Sequence, residues 1–245
     1  METPPPQQPP QGPIPQPTPP TDAGQAGYPR PPLSPTIRFD VIGQAFKLVF
    51  ADLGTWAVAA LCLFVVIAVV GAVLDFVVFA SLLRGGFIGI ILVELIGIVV
   101  MFTVANLMMA NMYRMAISAL SGNKPAVNEM FKFGSNAGNI VVVSLIVAVA
   151  TAIGTVLCYL PALVVGGLMM FAVPLVVDRN MAPMDAVNES INMLKKDWLM
   201  AAVFFLVIGI CGEIGGVACG IGAILTLPVI PVAIAMLYRD YFGFA

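Results

Sequence analysis

Histidine is absent from these 245 residues, and only 10% of them carry a charged side chain. The first absence removes the usual general base and the commonest metal ligand. The second excludes an ordinary soluble surface, which takes roughly 25% charged residues. With 60% of the chain apolar, lipid must cover much of the outside. An excess of basic charge is missing too. The net charge is −2, and the eleven Lys and Arg are scattered singly apart from the pair Lys195-Lys196. There is no basic stripe to track a phosphate backbone, which excludes nucleic acid as a partner.

Cysteine is sparse. Cys62, Cys158, Cys211 and Cys219 each sit in an apolar run, with no Cys-x-x-Cys spacing, and read as small packing residues, not metal ligands or disulfide partners. The sequence also lacks a Gly-Lys-Ser/Thr phosphate loop, a Gly-x-Ser-x-Gly elbow and paired carboxylates on one polar face. No catalytic, cofactor-binding or metal site is expected, and the chain reads as non-enzymatic.

What is present begins with proline. Met1–Pro35 holds fourteen of the twenty prolines, and proline fixes φ, removes a backbone donor and favours extended chain without a packed core. Residues 1–36 are therefore expected to form a disordered proline-rich tail. They lack the positive n-region and apolar core of a secretory signal. Pro17-Thr18-Pro19-Pro20 and Pro29-Arg30-Pro31-Pro32 offer polyproline segments to an aromatic-groove partner.

Residues 37–245 are expected to form an all-α polytopic membrane bundle with six spans. The first runs from Trp56 to about Leu74, where Asp75 interrupts it. The second runs from Phe87 to Met112, the third from Gly138 to Leu157, and the fourth from the Pro161 corner to Val177. The fifth runs from Trp198 to Val217, and the sixth from Ile221 to Tyr238. Each approaches the roughly 20 apolar residues that a crossing requires. Before each pair of spans lies an amphipathic segment: Phe39–Leu53, Lys124–Phe133 and Met184–Trp198. Phe39, Ile42, Phe46, Val49 and Leu53 share one helical face. Met184, Val187, Ile191, Leu194 and Trp198 repeat that spacing 145 residues later, and Ala126-Val127-Asn128-Glu129 recurs as Ala186-Val187-Asn188-Glu189. The pattern is three repeated hairpins, each preceded by an interfacial helix. Six spans put ten of the eleven basic residues on one face, with Arg84 alone opposite, so both termini are expected in the cytoplasm.

The residues singled out within this bundle are polar or small. Glu94 and Glu213 are the acids most liable to lie within the membrane, as partly solvated groups near the outer corners or as a proton or cation pathway. Asn106 and Asn111 can hydrogen-bond between helices, and the methionines around them read as flexible filler. Gly212, Gly216 and Gly220 form a small-residue seam for close helix contact. Pro228 and Pro231 are expected to break or kink the sixth span.

Several of these residues carry a resemblance: the Pro161 corner, Ala172-Val173-Pro174-Leu175-Val176-Val177-Asp178, Asp185-Ala186 with Trp198, and the closing Tyr238-Arg239-Asp240. From Phe39 to Gly243 the chain resembles uncharacterised prokaryotic six-span membrane proteins, including the membrane domain found fused to some glycerophosphoryl diester phosphodiesterases. The catalytic domain of those enzymes has no counterpart here. The resemblance implies a cell-membrane domain placed beside a soluble module. The expected partners are the bilayer, a protein reached through the tail or the cytoplasmic helices, and a second copy of the chain. Two functions follow: a scaffold or accessory subunit, or a small transporter for a lipid or small solute.

Overall fold

The computed structural model describes residues 36–83, 87–131, 136–157, 159–217 and 221–244. The proline-rich tail, the corner at Arg84, Cys158, Cys219 and Gly220 lie outside the described residues, as do the side chains of Glu94 and Glu213. Every regular element among the described residues is helical.

The chain opens with α1 (Asp40–Ala51) and turns at Asp52 into α2 (Leu53–Leu83), followed by α3 (Phe87–Leu120). Asp75 does not interrupt α2 as expected. A single aspartate costs a helix only about 0.7 kcal/mol relative to alanine, too little to end an otherwise apolar run. Similarly, α3 passes through Tyr113-Arg114 and stops only at Gly122, whose φ of 89° suits a residue without a side chain. There the Gly122 N–H donates to Ala119 O and the Asn123 N–H to Ser118 O, each at 3.1 Å, which satisfies the last carbonyls of the helix.

A 3₁₀ turn, Val127–Phe131, precedes α4 (Ala137–Leu157). Of the expected middle amphipathic segment, Val127–Phe131 forms this short turn, while Lys132 and Phe133 lie outside the described residues. The fourth expected span is divided into α5 (Tyr159–Leu168) and α6 (Ala172–Arg179). After α7 (Pro183–Leu194) comes α8 (Trp198–Val217), and the sixth span is divided into α9 (Ile221–Thr226) and α10 (Val229–Phe242). Pro228 makes that break. Pro231 falls in the first turn of α10, where its missing N–H has no intrahelical acceptor to lose.

By length and composition, four stretches are apolar enough to cross a membrane: Leu53–Ser81, Leu160–Arg179, Pro183–Gly216 and Gly222–Phe242. Ala137–Thr151 is a shorter apolar helix. The chain therefore has the helices of a membrane protein. Burial separates outer from inner helices: 17% of an 18-residue apolar window in the first stretch is buried, against 61% in the last. Three helices carry exposed apolar stripes at helical spacing. They are Val58, Leu61, Val65, Val69, Val73 and Phe76 on α2; Val142, Leu145, Val149 and Ile153 on α4; and Leu199, Val203, Leu206, Ile210 and Ile214 on α8. Such faces suit lipid.

Packing follows a regular order. α2 lies on α3, α4 on α5, and α8 on α9. Between these pairs, α3 meets α4, α5 meets α8, and α9 meets α2. The segments ahead of them also dock on the helices. α1 packs on α10, the 3₁₀ turn on α3, and α7 on α6. α10 is the hub, with twelve of its fourteen residues buried. On α1, Val41, Ile42, Ala45, Leu48 and Val49 are buried, and on α7, Ala186, Val187, Ser190 and Leu194. Each fully buried large aliphatic side chain contributes roughly 1.5–3 kcal/mol before entropy is counted. Of the faces expected from spacing, Ile42, Val49, Val187 and Leu194 are inside, while Phe39, Met184 and Trp198 stay exposed. α1 and α7 thus dock on the bundle, not simply along a lipid surface.

Candidate functional site

Polar side chains gather where the ends of α6 and α10 meet the segments that lead into the helices. Asp240, buried in α10, accepts hydrogen bonds from Arg38 Nη2 at 2.6 Å and Arg38 Nε at 3.2 Å. These two residues lie 202 apart in sequence, and their ion pair fixes the start of α1 to the end of the chain. Two donors from one planar guanidinium give such a pair direction as well as strength. Arg239 is also buried, its Nε 3.9 Å from Asp240 Oδ1.

The end of α6 interlocks with the same region. Tyr238 Oη donates to Asp178 Oδ2 at 2.8 Å, and Arg179 Nη2 to Phe242 O at 2.6 Å. The Arg179 guanidinium lies over the Phe242 ring, 5.5 Å from its centre. Phe171 packs edge-on against Tyr238 and Phe242, so the break between α5 and α6 is wedged against the hub.

Ser190 secures that break from α7. Its hydroxyl donates to Leu168 O at 2.7 Å and accepts from the Phe171 N–H at 3.2 Å. One buried side chain thus serves an orphan carbonyl at the end of α5 and an orphan N–H ahead of α6, the groups a broken helix leaves unpaired. Asn111 holds the 3₁₀ turn in a comparable way: buried in α3, its Nδ2 donates to Met130 O at 2.7 Å. Arg114 Nη1 donates to its Oδ1 at 3.3 Å. The 3₁₀ turn is therefore pinned to α3, α7 to the break between α5 and α6, and the start of α1 to α10, each by one polar side chain.

The other residues singled out from the sequence are dispersed. Asn106 Nδ2 donates to Phe102 O, one turn back in its own helix, at 2.8 Å, and so joins no second helix through that bond. Glu94 is on α3 and Glu213 on α8 by backbone alone. A Cβ on Gly212 would meet the flexible end of Ile230 at 2.6 Å, and Gly216 is exposed. The tightest backbone approaches involve other glycines. A Cβ on Gly215 would meet the backbone of Gly222, and one on Gly222 would lie 2.5 Å from Gly215 O. One on Gly167 would lie 2.7 Å from the Ala201 carbonyl group, and one on Gly154 2.8 Å from the backbone of Ala162. Cys62 and Cys211 are free thiols. Among the described residues no three His, Cys, Asp or Glu side chains cluster closely enough to hold a metal.

Sequence reading missed Arg38 and Ser190. The signal for the Asp240 end of the pair was present: Asp178-Arg179 and Arg239-Asp240 occupy matched positions 61 residues apart with their charges exchanged. Chemically the cluster is a lock. Asp240 Oδ2, Asp178, Arg38, Arg179 and Tyr238 are engaged with one another or with backbone. Asp240 Oδ1 and the Tyr241 hydroxyl are buried without a hydrogen-bond partner among the described residues.

Two mycobacterial proteins resemble the chain. The uncharacterized protein Rv2560 of Mycobacterium tuberculosis and the uncharacterized protein Mb2590 of Mycobacterium bovis are each 27% identical to it over 152 residues. That stretch is 62% of this chain and 46% of either relative, so the match spans less than half of their length. No family model matches the chain, and no solved structure does. Neither relative is described as a phosphodiesterase or as part of one.

Proposed function

We propose that this chain is a non-catalytic scaffold of the cell membrane: three hairpin units, six crossings, closed into a ring and capped on the cytoplasmic side. The observation that carries the reading is the closing contact, in which α1 docks on α10 and Arg38 pairs with Asp240. The other two leading segments dock in the same sense, each on the hairpin before it, as a cyclic arrangement of three like units requires. The exposed stripes on α2, α4 and α8 supply one lipid face per unit. The distribution of Lys and Arg supports a cytoplasmic cap.

The cap also bears on what the protein does. Arg38 with Asp240, Tyr238 with Asp178 and Arg179 with Phe242 O hold one another, which suits a rigid platform better than a reaction centre. The described chain begins at Thr36, two residues before Arg38, so a partner bound to the preceding proline-rich tail would be tethered to the cap. Removing residues 1–35 is expected to leave the thermal midpoint of the purified bundle unchanged. It should also remove at least one protein from the set that co-purifies from native membranes in stoichiometric amount. An unchanged set would overturn the recruiting role. A second reading, a small transporter, is favoured by one observation, a hollow between α2 and α3.

A further inference from the structure

A cavity of about 400 Å³ lies between α2 and α3, lined by Gly71, Leu74, Asp75, Val78, Val93, Gly97, Met101 and Phe102. Its size is that of a small-molecule site. Two glycines create the room. A Cβ on Gly71 would come within 3.2 Å of Met101 Cε, and one on Gly97 within 3.6 Å of Leu74 Cδ2. Asp75 is the one charged residue in the lining. Among the described residues it has no hydrogen-bond or ion-pair partner. At 1.5 Å per residue, Asp75 lies about 33 Å along α2 from Leu53, which is close to the roughly 30 Å of a hydrocarbon core. On the membrane reading its carboxylate sits where acyl chains give way to headgroups, and the apolar part of the hollow extends inward from it.

We propose that this hollow binds an amphiphile with a single cationic head, its apolar body over Gly71 and Gly97 and its head on the Asp75 carboxylate. Charge complementarity selects this occupant. A neutral amphiphile would leave the exposed carboxylate without a charge partner at the edge of the hydrocarbon. A zwitterionic phospholipid would bring its phosphate against the same carboxylate. A bare divalent cation needs several oxygen ligands, and this lining offers a single carboxylate among apolar side chains. The site is independent of the scaffold role: an empty hollow would leave the ring and its cap as described.

Dodecylammonium, dodecanol and dodecanoate test the assignment when titrated calorimetrically into the full chain in a neutral detergent. The cation is expected to saturate one site about tenfold more tightly than the alcohol, the value of one partly desolvated charge pair, with the anion weakest. Asp75→Asn should bring the cation to the level of the alcohol, and Gly97→Leu should remove saturable binding of both. Equal affinity for all three probes, non-saturating uptake, or a cation preference that survives Asp75→Asn would overturn the proposal. The order of the three probes on the unmodified chain decides the matter even where Gly97→Leu fails to fold.

Discussion

Gly167→Leu is expected to abolish recovery of a folded, monodisperse protein, and Gly167→Ala to lower its stability by about 3 kcal/mol or more. Gly167 lies near the end of α5 where that helix crosses α8. A Cβ placed there falls 2.7 Å from the carbonyl carbon and oxygen of Ala201 and 2.8 Å from the N of Ala202. These are backbone atoms of a helix interior. They cannot rotate aside as a side-chain end can, so the helices must separate and give up their packing along the whole crossing. Gly166 beside it meets only the ring of Phe205, which can swing, and Gly166→Ala should therefore cost less. Gly43 and Gly209 have open space where a Cβ would go. Alanine at either should be neutral or stabilise by up to about 1 kcal/mol through helix propensity. Thermal midpoints of these four alanine variants in one detergent check the order. Gly167→Ala as benign as Gly209→Ala would show that α5 and α8 do not approach this closely.

Asp240→Ala is expected to lower stability by about 3 kcal/mol. The Asp240 side chain is 3% exposed, Arg38 28% and Arg239 8%. Removing the carboxylate strips Arg38 of its two shortest acceptor contacts, leaving Asp40 Oδ2 at 3.5 Å from Nη1. It also leaves Arg239 buried beside one fewer anion. Arg38, being partly exposed, recovers some hydration, which keeps the loss below that of a fully buried pair. Arg38→Lys should not restore the native midpoint, because an ammonium cannot reproduce the two-pronged contact. The double variant Arg38→Met/Asp240→Leu should lose less than the sum of the single changes, by about 1 kcal/mol or more. Strict additivity in that cycle would mean that the pair does not hold α1 to α10.

Much of the helical layout was legible in the sequence, because it rests on local signals. Apolar runs bounded by glycine, proline and charge mark the long helices. The spacing of 145 residues that relates Phe39–Leu53 to Met184–Trp198 also relates the observed starts of α2 and α8, Leu53 and Trp198. Pro228 marked its own break. The break between α5 and α6 was not legible, because no proline or charge stands at Met169–Phe171, and Ser190, nineteen residues after Phe171, stabilises it. The importance of Gly167 over Gly216 was hidden for a similar reason. A glycine's role depends on what lies across from it, and nothing near Gly167 in sequence points to Ala201. Arg38 and Asp240 stand 202 residues apart, and only the packing of α1 on α10 brings them together.

Single-cysteine accessibility tests that closed, six-crossing arrangement most directly. In a background with the four native cysteines replaced by alanine, Ser34→Cys, Asn123→Cys, Asn180→Cys and Gly85→Cys would each be treated with a membrane-impermeant maleimide. In intact cells only Gly85→Cys is expected to react, and the other three should react once the membrane is permeabilised. Labelling of Asn123→Cys or Asn180→Cys from outside intact cells would place two of the leading segments on opposite faces of the membrane and contradict a ring of three like hairpins under one cytoplasmic cap.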